Sequence, residues 1–383
     1  MRYRKLKGDF IFDGFEMQEG KVLIVDESGK VEALVPENEA PDAEYHAGIL
    51  SPGFINCHCH LELSHMKGLI PEGTGLVDFV LGVVTQRHFA EDEIREAIAK
   101  AEADMKAAGI VAVGDICNNT LTLEQKQKSN LRYHNFIEAS GWLPSVADVR
   151  FSRALGIYKE FTTHHSPLTT LVPHAPYSVS AELWRQLKPY FKNNTVSIHN
   201  QETAHENDFF QTGSGDFQRM YELMKIDNSH HQPTGKTSVQ SYFHHLSEAS
   251  RLLLVHNTFT SQEDLDFIQN SKFKIQNFLC LCVNANLYIE KALPPLELLR
   301  SNNMTIVLGT DSLASNWSLS IADEMRTMRK HFPAIPLVEM LRWATSNGAN
   351  ALGIIDRFGS FEAGKKPGVL CLQPESLLVR SLA

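Results

Sequence analysis

Short apolar runs alternate with longer amphipathic segments along most of this chain. Runs rich in Val, Ile and Leu fall at 50–56, 110–116, 131–137, 168–173, 195–198, 251–255, 273–279 and 304–309. A continuous apolar run of this length, bounded by turn residues, predicts a buried strand. Between the runs lie segments with helical spacing. The clearest covers 91–108, rich in Ala, Glu and Lys, with Gly109 as its stop. Further helices are predicted near 180–191, 236–249, 261–270, 318–330 and 336–352, the last opening at Pro336 and ending before Gly353. Strands alternating with helices imply a parallel sheet, and eight such units imply closure. The predicted fold class is α/β, a (β/α)8 TIM barrel.

The ends follow a different pattern. Residues 1–48 show short alternating strands with turns at Asp13-Gly14, Glu19-Gly20 and Ser28-Gly29. The tail from Phe358 to Leu372 is again turn-rich and strand-like. The two ends are expected to pair into a small β module, with 1–48 and 356–383 as its parts and 49–355 as the barrel. The segment 203–235 is polar and contains Asn228-Ser229-His230-His231-Gln232-Pro233. It reads as a long loop with a helix, and long loops on barrels often serve as lids.

Length and charge narrow the class. A chain of 383 residues suits a barrel with an added module. Net charge is −9 at pH 7, so there is no basic footprint for nucleic acid. The start has Arg2, Arg4, Lys5 and Lys7 but no apolar stretch behind them, unlike a secretory signal. No uninterrupted apolar run approaches the roughly 20 residues of a membrane helix. Six cysteines in a chain this long do not make a disulfide framework, and reduced buried thiols are expected. A cytoplasmic protein with a small-molecule partner fits these features, without nucleic acid or membrane; a homodimer is compatible with them.

The candidate chemistry sits where strands end. His58-Cys59-His60-Leu61-Glu62 follows the first apolar run. Side chains alternate on a strand, so His58 and His60 share one side and Cys57 and Cys59 the other. Two adjacent imidazoles are half of a metal site, although alone they fit hydrogen-bonded histidines equally well. His199 ends the fifth run and Glu202 lies three residues on. His256 ends the sixth run and Asp311 the eighth. All stand at carboxyl ends of strands, where barrel active sites are built. Asp115 and Glu138 end the second and third runs; they read first as structural, with a place in the pocket as the alternative.

The stretches Leu50-Ser51-Pro52-Gly53-Phe54-Ile55-Asn56-Cys57-His58-Cys59-His60, Val172-Pro173-His174-Ala175-Pro176-Tyr177-Ser178-Val179-Ser180, Ile198-His199-Asn200-Gln201-Glu202-Thr203, Leu254-Val255-His256-Asn257 and Leu308-Gly309-Thr310-Asp311-Ser312-Leu313-Ala314-Ser315-Asn316 carry a resemblance. In this order they resemble the amidohydrolase superfamily, in its cytosine/guanine/S-adenosylhomocysteine-deaminase and chlorohydrolase-like branch. The last run also looks like the aminofutalosine-deaminase group. Two stretches depart from the family. Its Cys-Pro-x-Ser-Asn run is Cys282-Val283-Asn284-Ala285-Asn286 here, and its C-terminal Gly-x-Ala-Asp-Leu-Val signature is degenerate at Lys366-Pro367-Gly368-Val369-Leu370.

The resemblance implies a barrel hydrolase with one divalent ion, because 168–173 has neither the lysine nor the carboxylate that bridges two ions in binuclear relatives. It implies His58, His60, His199 and Asp311 as ligands. Zn suits this set and Fe binds it too. Asp311 then takes a proton from the activated water, His256 orients it, and Glu202 shuttles a proton to a ring nitrogen and on to departing ammonia. His174 and Glu62 are the expected substrate contacts. The function expected is hydrolytic deamination of an aminated nitrogen heterocycle or nucleoside-like compound. Dechlorination or cyclic-amide opening on the same fold is the alternative. An inactive scaffold would have lost a ligand, and none is missing.

Overall fold

The computed structural model describes residues 3–164, 166 and 168–382; the first two residues of the basic start lie outside them. Among the described residues eight parallel strands form the barrel: Phe54–Cys59, Ile110–Cys117, Arg132–Ala139, Thr169–Pro173, Thr195–Asn200, Arg251–His256, Gln276–Leu281 and Ile306–Leu308. They are numbered one to eight below. Strands one to four pair in sequence order, and strands five to eight do the same.

The two half-sheets meet at two seams. Between strands four and five, the His199 N–H donates to the His174 carbonyl at 3.0 Å. Between strands eight and one, the N–H groups of Thr310 and Asp311 donate to the His58 carbonyl at 2.9 and 3.0 Å. Cys59 also bridges Asp311 in parallel. The barrel is therefore closed, and both seams fall on residues singled out for chemistry. Gly309 permits the second seam. A Cβ there would sit 2.9 Å from the His58 Cβ and 2.9 Å from Cys280 Sγ, so any larger residue forces the strands apart.

The module is built from both chain ends. One sheet orders Val31–Pro36, Lys21–Asp26, Tyr3–Lys7 and Glu44–Tyr45; the other orders Val379–Ser381, Leu370–Leu372, Ile49–Ser51, Phe10–Phe12 and Met17–Gln18. The apolar run read as one strand at 50–56 is therefore two. Pro52 supplies no N–H for a ladder. The Gly53 N–H turns away to the Pro367 carbonyl at 3.0 Å. Ile49–Ser51 joins the module sheet, and Phe54–Cys59 begins the barrel.

That sheet separates two cores. Phe12, Ile49, Leu370 and Leu372 pack into the barrel core, while Ile11, Leu50 and Cys371 pack into the module core. Alternation along a strand puts neighbouring residues on opposite faces, so one sheet serves both.

The helices depart from expectation in places. The segment 336–352 is two helices, Leu337–Ala344 and Ser346–Ala351, divided at Thr345 with φ −131° and ψ −90°. The helix expected at 236–249 is short, Ser238–Tyr242, continued by a 3-10 turn. Ala147–His164 and Leu76–Gln86 are helices that the periodicity reading left out. Segment 203–235 holds two helices, Ala204–Thr212 and Phe217–Leu223. No helix among the described residues is long and apolar enough to cross a membrane.

Leu372 is fully buried and faces the barrel core. Leu372→Ala should cost about 2–5 kcal/mol, the usual range for emptying a buried leucine site. Because the sheet is shared, denaturant unfolding followed by circular dichroism should keep one transition. A separate early step that leaves the barrel folded would show that the module is energetically independent.

Candidate active site

Five side chains converge at the carboxyl ends of the strands. His58 lies in strand one and His60 just beyond it; His199 lies in strand five, His256 ends strand six, and Asp311 follows strand eight. All five are buried. The Nε2 atoms of His58 and His60 are each 3.4 Å from Asp311 Oδ1. His60 Nε2 is 3.3 Å from His199 Nε2. One ligand atom each from His58, His199, His256 and Asp311 all lie within 4.8 Å of one another.

Hydrogen bonds fix which ring nitrogens face the centre. His199 Nδ1 lies 2.7 Å from the His174 carbonyl, so Nδ1 carries the proton and Nε2 offers a lone pair. His256 Nδ1 lies 2.8 Å from Asn286 Oδ1 and donates to it, which frees Nε2 in the same way. Both His58 ring nitrogens and His256 Nε2 are buried without a hydrogen-bond partner. Unpaired buried polar atoms are costly unless something satisfies them. Convergent imidazole lone pairs around one carboxylate are the donor set of a divalent cation, and the residues present fit one.

The backbone is strained where these groups sit. Gln201, His256, Asn257 and Asp311 adopt φ of 47°, 76°, 57° and 57°. Side chains rarely adopt this region, and each such residue costs about 1–3 kcal/mol that the surrounding fold must outweigh.

Burial sets the charge states. It pushes Glu202 well above the carboxylate range, and Asp311, Glu290 and Glu206 add repulsion. Glu202 is thus biased toward its protonated form. Burial also pushes Asp311 up, but the His58 ring 3.4 Å away and the neighbouring His60 and His256 outweigh it and hold Asp311 well below its usual range. Burial lowers His60 to about 3 and His256 to about 4, which keeps both imidazoles neutral. His199 is lowered by burial and by the histidines around it. Burial and neighbours push the two carboxyls at this centre in opposite directions, Glu202 up and Asp311 down, the pattern of an acid–base pair.

A cavity of about 620 Å³ opens over this cluster. His60, Glu62, His174, His199, Glu202, His256 and Asp311 line its floor. Leu76, Phe79, Val80 and Val83, on one of the unforeseen helices, make an apolar wall; Trp142, Met220, Tyr221 and Met224 line it as well. Segment 203–235 therefore contributes to the cavity through Phe217–Leu223 and the residues after it. His174 and Glu62, expected at the substrate, do line the cavity. Glu138, read as structural, lines it too, and its Oε2 lies 3.9 Å from His199 Nδ1. Asn118 joins the two glutamates: its N–H donates to Glu62 at 2.9 Å and its amide to Glu138 at 3.1 Å. Asp115 stays out of the cavity.

Three supporting residues escaped the sequence reading. Asn286 orients His256, Ser315 donates to Asp311 Oδ2 at 2.6 Å, and Asn118 sets the glutamate pair. A signal existed for Asn286. The run Cys282–Asn286 loses the Pro and Ser of the family pattern but keeps its first and last residue, and the last is the one that touches His256.

A closed barrel with buried histidines and an aspartate at its carboxyl ends defines a metal-dependent barrel hydrolase. The model of the Amidohydrolase family matches residues 49–374, and the chain belongs to that family. It is accordingly a hydrolase of carbon–nitrogen bonds other than peptide bonds. An adenosine deaminase of Helicobacter pylori is 27% identical over 330 residues, 84% of this chain and 78% of that protein. A 5-methylthioadenosine/S-adenosylhomocysteine deaminase of Teredinibacter turnerae is 26% identical over 348 residues, 86% of this chain and 72% of that one. The crystal structure of Helicobacter pylori aminofutalosine deaminase in complex with methylthio-coformycin superposes with a TM-score of 0.80 at 23% identity, covering 97% of this chain and 92% of that one.

The lack of a bridging lysine or carboxylate on strand four predicts one ion per chain. Elemental analysis of purified protein should give close to one equivalent of Zn or Fe, and His199→Ala should lose most of it. Two tightly held ions per chain would overturn a single-ion centre.

Proposed function

We propose that the protein is a mononuclear, zinc-dependent deaminase that releases ammonia from an adenosine-like nucleoside, with Fe(II) as the alternative ion. Glu202 carries this reading. It is a buried carboxyl lining the cavity, pushed toward its protonated form and 3.5 Å from His256 Nε2. Simple amide or ester cleavage has no need of an acid so placed. Protonating a ring nitrogen beside the carbon under attack does. The names of the relatives support a nucleoside substrate, and the cavity is of a size that holds one.

His58, His60, His199 and Asp311 hold the ion in this reading. When bound, it makes water acidic enough to act as nucleophile at neutral pH. Asp311, ionised and fixed at Oδ2 by Ser315, accepts the proton that this water gives up. His256, with Nδ1 committed to Asn286, offers its Nε2 lone pair to the water's second O–H and so orients it. Glu202 gives its proton to the ring nitrogen and then relays one to the leaving amine. Glu62 and Glu138 face the substrate as hydrogen-bond partners, and His174 closes the same side. The apolar wall at Leu76–Val83 excludes water from a planar base. Six buried free thiols support a cytoplasmic setting.

Two measurements test this. Metal-loaded protein should release ammonia from adenosine or its 5′-substituted derivatives. Turnover only with chlorinated heterocycles or cyclic amides, without ammonia from any aminated heterocycle, would refute deamination and leave the hydrolase. Glu202→Gln should keep its metal and lose about 10²–10⁴-fold in kcat, the usual worth of a general acid–base group. Unchanged kcat would remove Glu202 from the chemistry.

A further inference from the structure

The chain leaves strand one at Cys59 and must turn sharply to place His60. His60 itself is neither strand nor helix, with φ −113° and ψ 76°. A 3-10 turn, Leu61–Met66, begins at the next residue and has no capping side chain of its own. Its first N–H, that of Leu61, is capped from elsewhere: Asp115 Oδ1 on strand two accepts it at 2.8 Å. Strands one and two shift register just here, and Cys59 stands opposite Asp115.

The other oxygen of Asp115 is held as tightly. Lys126 Nζ lies 2.6 Å from Oδ2. The same ammonium donates to Asn135 Oδ1 at 3.0 Å and to Cys117 Sγ at 3.1 Å. It lies 4.9 Å from the Tyr133 ring centre and 5.0 Å from that of Phe161. Asp115 and Lys126 have no exposed surface at all. A buried ion pair is a poor source of stability, because desolvation offsets most of its attraction. Its value here is directional. With Oδ2 pinned by Lys126, Oδ1 can point only at Leu61.

We propose that Asp115 and Lys126 form a positioning pair that sets the His60–Glu62 turn and thereby aims His60 at the metal centre. The inference rests on His60 being a ligand. Asp115 touches no substrate and lines no cavity; it acts through the backbone. Asn118, three residues further along strand two's exit, holds the Glu62 carboxylate, so one strand end governs both sides of the turn.

Zn²⁺ affinity by chelator competition and the visible spectrum of Co²⁺-loaded protein test this. A purely structural role would change the melting temperature but not these readouts in folded protein. Asp115→Asn keeps the shape and gives up the charge that makes the cap strong. It should bind Zn²⁺ about tenfold more weakly, and Asp115→Leu/Lys126→Met, which removes cap and charges together, about 100-fold, the range seen when groups supporting metal ligands are lost. Both should alter the Co²⁺ spectrum and keep native circular dichroism. If the apolar pair does not fold, Asp115→Asn decides alone. Wild-type affinity and spectrum in folded Asp115→Asn overturn the proposal. His60→Ala separates the two claims: if it binds metal as the wild type does, His60 is no ligand and that reading fails instead.

Discussion

Four imidazoles and one carboxylate meet in a space from which water is largely excluded, and the rest of the structure answers to that crowding. Asp311 Oδ1 faces two ring nitrogens at 3.4 Å, and His60 and His199 face each other at 3.3 Å. With its Nδ1 proton committed to the His174 carbonyl, His199 turns an Nε2 lone pair toward this crowded centre, where a cation would satisfy it. Each of these groups is held from outside the cluster. The carbonyl of His174 holds His199, Asn286 holds His256, and Ser315 holds Asp311.

Barrel closure supplies the force. The seams run through His174–His199 and His58–Asp311, so the hydrogen bonds that shut the barrel are the ones that bring strands four, five, eight and one to the site. The left-handed φ values at His256 and Asp311 fall where the backbone is held across strands, His256 opposite Asn200 and Asp311 by the His58 carbonyl. Gly309 belongs to the same device: its missing side chain lets strand eight close on His58. Fold stability and site geometry are thus coupled through the same hydrogen bonds.

The outer parts of the site are held less directly. Glu62 and Glu138 are raised to about 7, first by burial, and share Asn118 between them. Their wall lies opposite the apolar helix Leu76–Gln86 in the same cavity. A substrate with a polar edge and a flat apolar face satisfies both walls at once. The module enters through Ile49–Ser51, which runs through Pro52-Gly53 into strand one. The two chain ends thereby anchor the strand that carries His58.

The sequence by itself determined the barrel, because eight apolar runs alternating with helical segments admit few other arrangements. It also singled out candidate site residues that the structure brings together, since they lie next to strong local signals: His58, His60, His199, Glu202, His256 and Asp311 each stand beside or just beyond such a run. The supporting contacts were not legible, although the Cys282–Asn286 run marked Asn286 itself. Asp115 was separated from Leu61 by 54 residues and Asn286 from His256 by 30, and only strand pairing brings such partners together. The split of 50–56 was hidden for a related reason. Ile49 and Phe54 look alike in hydropathy, and the sheet each joins is decided by partners at Leu370–Leu372 and Ile110–Cys117. The helix Leu76–Gln86 is apolar on too many sides for periodicity to mark it, because one face packs on the fold and another looks into the cavity. Local pattern fixes what a segment can become; the contacts that aim its side chains come from distant chain and exist only after folding.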